Sequence, residues 1–237
     1  MKLNRNIVAH RGIHNNKEIP ENSLAAFKQA LKLNYPIELD VQLTKDNTLV
    51  VFHDYNLKRL TNKDLILQQA TYDDLKKISL LNTTEKIPTL KEVLNLINSK
   101  VLLDIEIKNT KRIKETCDIL LSELRNYNNY ILKSFNPLIV KYLKVHYPEI
   151  ETGYLITNNY KHAIYNILLT NKFTIELTNS DFLAINKELL NNQKFMKKIH
   201  NKKILVWTIN NQHEITNKNY IYICNNLPYK EKTTSIK

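Results

Sequence analysis

Two kinds of apolar run alternate along the chain. Short runs rich in Ile, Val, Leu and Tyr ("IVAHRG", "IELDV", "VLLDIEIK", "YILKSF", "TGYLIT", "DFLAI", "ILVWTI" and "YIYIC") read as strands. Between them, segments 20–34, 89–99, 111–126, 137–147, 160–170 and 187–200 carry apolar residues at helical spacing. Strands alternating with helices predict a parallel sheet joined by crossover helices. Eight such units in 237 residues predict one TIM-type (β/α)8 barrel spanning 1–237, with no linker or internal repeat to divide it. A doubly wound open sheet is the alternative, but the glycine-rich phosphate turn that would support it is absent.

One run, "TLVVFHD", is left over. The link "TKDN" before it is far too short for a parallel crossover, which needs about a dozen residues, so the run must be an antiparallel hairpin partner of "IELDV". The expectation is therefore a small hairpin and helical insertion after the second strand, at about residues 44–88. A turn centred on Asp46 and Asn47 would place His53 opposite Asp40. Pro20 and Glu21 suit a helix's first turn, and Thr71 with Asp74 resembles a capping box on a short extra helix.

Within these strands the polar positions do not fit a core. Alternation puts Glu38 and Asp40 on one face, and Asp104, Glu106 and Lys108 together on another. Their neighbours Ile37, Leu39, Val41, Ile105 and Ile107 are all apolar, as on strands buried on both faces, which argues against simple surface charge. Buried carboxylates cost several kcal/mol each unless protonated, paired or metal-bound. An all-oxygen ligand set favours Mg2+ or Ca2+ over zinc. "AHRG" ends the first strand at the face where sites of this fold lie, bringing His10 and Arg11 there. Gly12, one of only two glycines, suggests close backbone approach or a dihedral that asparagine cannot reach. Histidines, a hard cation and phosphate-binding cations are what opening a phosphodiester requires.

Charge and composition narrow the partners without choosing one. The formal charge of +12 suits nucleic acid, an anionic membrane surface or an anionic small molecule. The lysines are scattered, with no basic and aromatic stripe of the kind that grips single strands, so no nucleic-acid partner is expected. A weak association with anionic bilayers fits the charge. No run of about 18 apolar residues appears, so no integral membrane segment is expected, and without a secretory h-region the expected location is cytoplasmic. Cys117 and Cys224 lack metal-type spacing and are expected to be reduced, partly buried thiols.

The ordered motifs "AHRG", "PENSLAAFKQAL", "IELDVQLTKD", "LVVFHD", "IPTLKEVL", "LLDIEIK", "KSFNP", "GYL" and "VWTIN" resemble the glycerophosphodiester phosphodiesterases from near residue 7 to near residue 228. The resemblance implies a TIM barrel that hydrolyses a small-molecule glycerophosphodiester, such as glycerophosphocholine or glycerophosphoethanolamine, to an alcohol and glycerol 3-phosphate, with one divalent cation, Mg2+ or Ca2+. Carried over by position, it implies Glu38, Asp40 and Glu106 as metal ligands and His10 and His53 as the acid-base pair. It further implies that Arg11 and Lys108 hold phosphate, that Trp207 walls the glycerol side, and that Glu21 and Asn22 sit near the metal or order Arg11. A lysophospholipase D or cyclising phosphodiester lyase on lysolipids is the alternative within the same chemistry; a non-catalytic anion- or nucleic-acid-binding barrel is the alternative outside it. The family usually has glycine where this chain has Asn34 and Asn47, and commonly a threonine-aspartate pair where it has Asn225 and Asn226. The last departure puts in doubt any role of the final strand at the site.

Overall fold

The computed structural model describes residues 6–159 and 163–228. Eight parallel strands close into a barrel: β1 (Ile7–Ala9), β2 (Ile37–Leu43), β4 (Leu103–Ile107), β5 (Tyr130–Ser134), β6 (Thr152–Ile156), β7 (Phe182–Asn186), β8 (Lys203–Ile209) and β9 (Ile221–Cys224). β1 pairs with β9 on one side and meets β2 through Ala9 and Ile37 on the other, which completes the ring. These are the eight strands that the sequence predicts, and the chain folds as a single-domain TIM barrel.

The ninth strand, β3 (Leu49–Val51), lies antiparallel on β2, as the short link demands. Its register differs from the expected one by a residue. Val41 pairs with Val51, so Asp40 lies opposite Phe52, not His53; the Phe52 N–H donates to the Asp40 carbonyl at 2.9 Å. The cause is the loop. Thr44 and Thr48 close it, and Lys45, Asp46 and Asn47 fill it, with Asn47 left-handed at φ 66°. A three-residue hairpin loop with a left-handed third residue shifts the mirror point by half a residue from a two-residue turn.

Helices cover the barrel wherever an apolar stripe needs a partner. Leu90–Ile97 shows the logic: Leu90, Val93, Leu94 and Ile97 are buried, Thr89 and Glu92 form a reciprocal capping box, and left-handed Asn98 ends the helix. The capping box at Thr71 and Asp74 is present on Tyr72–Leu75. The first helix begins later than expected, at Leu24, because Asn22 is left-handed at φ 55° and the Ser23 side chain caps the Ala26 N–H. Pro20 and Glu21 therefore lie before it. The segment 187–200 splits into a 3-10 turn, Lys187–Asn191, and a helix, Gln193–Lys198, while an unexpected helix occupies Lys172–Thr178. Residues 160–162 of the helix expected over 160–170 lie outside the described residues; Ala163–Thr170 is helical. Both cysteines are fully buried, more so than expected.

Three apolar clusters result. The largest fills the layer between strands and helices, a second (Val50, Phe52, Leu57, Leu60, Leu67, Leu75, Leu80, Ile87) is the separate small core of the insertion, and the third lies inside the barrel. The third holds Val8, Leu102, Ile131, Leu155, Phe182, Ala184, Leu205 and Ile223. On the β2, β4 and β5 side the interior turns polar, because Asp40, Glu106 and Lys133 stand in register.

Both glycines have steric reasons. At Gly12, with φ 81°, a Cβ would meet the Ala26 backbone at 2.8 Å, so the close approach there is to the first helix. At Gly153 a Cβ would fall 2.2 Å from the Phe182 ring, its neighbour in register on β7. Gly153→Ala is therefore expected to destabilise the fold by about 1–3 kcal/mol through overpacking. Adding Phe182→Leu should recover part of that loss, read as non-additivity in a denaturant-unfolding double-mutant cycle.

Candidate active site

The predicted residues converge at the carboxyl ends of the strands. His10 and Arg11 follow β1, Glu38 and Asp40 stand on β2, Glu106 on β4 with Lys108 just beyond it, and Trp207 on β8. A cavity of about 140 Å³ is lined by His10, Arg11, Glu38, His53, Glu106 and Trp207, together with Lys133, Phe135, Leu155, Thr208 and Ile223. Lys108, Asp40, Glu21 and Asn22 lie directly behind this lining, bonded to it.

One carboxylate oxygen from each of Glu38, Asp40 and Glu106 lies within 4.8 Å of the other two, and all three residues are buried. Asn22 Nδ2 donates to Asp40 Oδ2 at 2.9 Å, and Lys108 Nζ donates to Glu106 at 2.7 Å and Asp40 at 3.4 Å. Lys133 reaches from β5 to Asp104 at 2.6 Å and Glu38 at 3.3 Å. Arg11, left-handed at φ 54°, donates its backbone N–H to Glu38 at 3.1 Å and its guanidinium to Glu21 at 2.6 Å, with Nε 3.3 Å from Asp40. Glu21 thus orders Arg11, and Asn22 holds Asp40.

Burial penalises every carboxylate here, and the outcome depends on its cations. Burial pushes Glu38 up to about 8, with Asp40, Asp104 and Glu106 adding to the shift against the pull of Lys133. Asp40 is buried equally, yet Lys108 and Arg11 hold it well below the usual carboxylate range. Across the connected network, six carboxylates (Glu21, Glu38, Asp40, Asp54, Asp104, Glu106) face four cations (Arg11, Arg59, Lys108, Lys133). With every carboxylate ionised two negative charges would remain, an excess that the raised Glu38 relieves by taking up a proton, and the buried Asp104 Oδ1 has no hydrogen-bond partner. An all-oxygen cluster with that charge surplus fits one hard divalent cation.

The two histidines are held differently. His10 Nδ1 lies 2.7 Å from Asn225 Oδ1, while Asn225 Nδ2 donates to Asn210 Oδ1 at 2.9 Å, which orients the amide with its oxygen toward His10. His10 Nδ1 therefore carries the proton and Nε2 the lone pair. Burial, with Arg11 beside it, lowers His10 to about 3, so it is neutral. His53 Nδ1 lies 2.6 Å from Asp54 Oδ1, and Arg59 clamps Asp54 and Glu21 together.

A sequence profile of the glycerophosphoryl diester phosphodiesterase family matches residues 10–229. The chain belongs to this family. A glycerophosphodiester phosphodiesterase of Caldanaerobacter subterraneus subsp. tengcongensis is 38% identical over 164 residues, 63% of this chain and 65% of that protein. YhdW of Bacillus subtilis is 34% identical over 219 residues, 87% of this chain and 86% of that protein. Among solved structures, the glycerophosphodiester phosphodiesterase of Thermotoga maritima superposes with a TM-score of 0.74 at 27% identity, covering 95% of this chain and 96% of that one. Family members named as glycerophosphodiester phosphodiesterases are hydrolases, and no helix among the described residues of this one is long and apolar enough to cross a membrane.

Four contributors escaped the sequence reading: Lys133, Asn225, the Asp54–Arg59 pair and Gln42. Lys133 was visible as a polar residue inside an otherwise apolar strand, and Asn225 corrects the doubt about the final strand, which does reach the site. Gln42 continues the polar alternation of Glu38 and Asp40 on β2, but that pattern does not name its partners. It is buried, donates from Nε2 to the Phe52 and Asp54 carbonyls, both at 2.9 Å, and accepts from Gln68 at 3.2 Å. The pleat that ends at Val51 does not carry His53 inward; this clamp fixes the segment that does. Gln42→Leu keeps the volume but strands those carbonyls, and should cost about 1–3 kcal/mol of stability in denaturant unfolding.

Proposed function

We propose that this chain, one family domain throughout, hydrolyses glycerophosphodiesters such as glycerophosphocholine or glycerophosphoethanolamine to an alcohol and glycerol 3-phosphate. The observation that carries the reading is the Glu38, Asp40 and Glu106 cluster, with ligand oxygens within 4.8 Å, in one pocket with His10 and His53. The three carboxylates would hold one Mg2+ or Ca2+, which when bound supplies Lewis-acid charge to the phosphoryl oxygens. In support, a structurally similar phosphodiesterase of Oleispira antarctica was solved with its product sn-glycerol-3-phosphate.

Arg11 and Lys108 would neutralise the phosphate. His10 Nε2, neutral and unprotonated, would take the proton of the attacking hydroxyl, the substrate's own glycerol hydroxyl in the first step. His53, oriented through Nδ1 by Asp54 Oδ1 at 2.6 Å, would give a proton to the departing alcohol oxygen. When water opens the resulting cyclic phosphate, the two exchange roles. Trp207, edge-on to Phe135 at 5.4 Å, would wall the glycerol carbons. A cytoplasmic setting and brief visits to anionic bilayers suit the chain's charge of +12.

Release of glycerol 3-phosphate from glycerophosphocholine should be abolished by EDTA, restored by Mg2+ or Ca2+, and reduced at least a hundredfold by Glu106→Gln. Independently of activity, the activating cation at a hundred times its Kd should stabilise the fold by about 2.7 kcal/mol, read as a rise in Tm that Glu106→Gln diminishes. Activity and Tm indifferent to both chelator and substitution would refute the assignment.

A further inference from the structure

Beside the catalytic pocket lies a second, larger cavity of about 570 Å³. Phe135 lines both cavities, and Lys108, bonded to Glu106 of the first, lines the second, so the two are neighbours across the phosphate position. The inner pocket is small and walled by Trp207, Phe135, Leu155 and Ile223. It has room for a three-carbon polyol and its phosphate, not for a fatty chain.

The outer cavity has a different chemistry. Tyr55, Phe135, Pro137 and Leu169 supply apolar wall. Several of its polar atoms are already engaged: Asn136 Nδ2 donates to Asn109 Oδ1 at 2.7 Å, Asn136 Oδ1 accepts from the Leu138 N–H at 2.9 Å, and Thr157 Oγ1 accepts from the Asn159 N–H at 3.1 Å. The Lys108 ammonium is held by Glu106 and Asp40. Among the described residues no carboxylate lines the cavity, so a choline or ethanolamine cation would find no counter-charge there.

We infer that this outer cavity seats the leaving alcohol and favours one bearing an alkyl or acyl chain. The inference rests on the hydrolase reading above and specifies its substrate class: a glycerophosphodiester whose second alcohol is a monoacylglycerol binds with its unacylated glycerol phosphate inside and its chain outside. In the overall reaction water adds, the bond from phosphorus to the monoacylglycerol oxygen breaks, that oxygen leaves protonated, and phosphorus keeps the oxygen of water. The products are glycerol 3-phosphate and monoacylglycerol. The opposite cleavage, to lysophosphatidate and glycerol, would need the chain in the inner pocket.

A soluble series of glycerophospho-alkanols (ethanol, butanol, hexanol, octanol) tests this against glycerophosphocholine. kcat/KM for glycerol 3-phosphate release should climb about threefold to fourfold per methylene buried, then level off as the cavity fills. Leu169→Asp, or Tyr55→Ser at a residue already 46% exposed, should flatten the climb, read as a fall in the ratio of kcat/KM for the octanol diester to that for the ethanol diester. A flat series in the unsubstituted enzyme, or glycerophosphocholine preferred over the octanol diester, overturns the inference while leaving the hydrolase standing. With lysophosphatidylglycerol, mass spectrometry should find monoacylglycerol; lysophosphatidate as the product overturns it too. Failure to turn over any diester, glycerophosphocholine included, would reject the hydrolase reading itself.

Discussion

The structure depends on keeping like charges together inside a barrel. Glu38, Asp40, Asp104 and Glu106 occupy adjacent strands with almost no exposure, where each alone would be protonated or would unfold its surroundings. Two lysines make the arrangement tolerable at different depths. Lys133 neutralises the lower layer through Asp104 and Glu38, and Lys108 the upper layer through Glu106 and Asp40. Both lysines are paired with carboxylates, and ionising the whole network would leave two negative charges in excess, which suits the Glu38, Asp40 and Glu106 oxygens to a divalent cation. The apolar half of the interior, from β6 round to β9, is the counterpart: it can pack Phe182 against Gly153 because it carries no charge that needs solvation.

The strands were legible because they are buried on both faces, so that any polar residue within them stands out against Ile, Val and Leu. That contrast exposed Glu38, Asp40, Asp104 and Glu106 correctly. Register was less legible. The one-residue error at Asp40 came from treating Asp46-Asn47 as a two-residue turn, when Asn47 alone takes the left-handed position of a three-residue loop. Asparagine explains a second error. Nine of the non-glycine residues with positive φ among the described residues are asparagines, including Asn22, which ends the "PEN" turn where a helix was expected to begin. In a chain with two glycines, asparagine marks turns and caps, and reading it as ordinary polar sequence hides them. Asn225 was out of reach, since its amide acts on His10 across the fold, whereas Gln42 continues the alternation of Glu38 and Asp40 and only its carbonyl partners, which depend on the hairpin register, were hidden.

The insertion after β2 is more than a satellite core. Left-handed Arg11 and left-handed Asn22 bend the first loop so that Glu21 points at Arg11 from one side, and Arg59 of the insertion meets Glu21 from the other at 2.7 Å. Arg59 also grips Asp54 at 2.6 Å, and Asp54 holds His53. A continuous run of charged contacts, Arg11 to Glu21 to Arg59 to Asp54 to His53, therefore ties the proposed phosphate cation to the proposed acid. The outer links, Arg59 to Asp54 and Asp54 to His53, are partly exposed ion pairs worth little alone, while Arg11 to Glu21 is nearly buried. Their value is geometric: Arg11 cannot shift toward an arriving phosphate without pulling on Glu21, which shares its carboxylate with Arg59. Since His53 is set by Asp54 and by the Gln42 clamp rather than by the pleat of β3, the insertion, packed on its small core of Phe52, Leu57 and Leu60, fixes where His53 stands relative to Arg11.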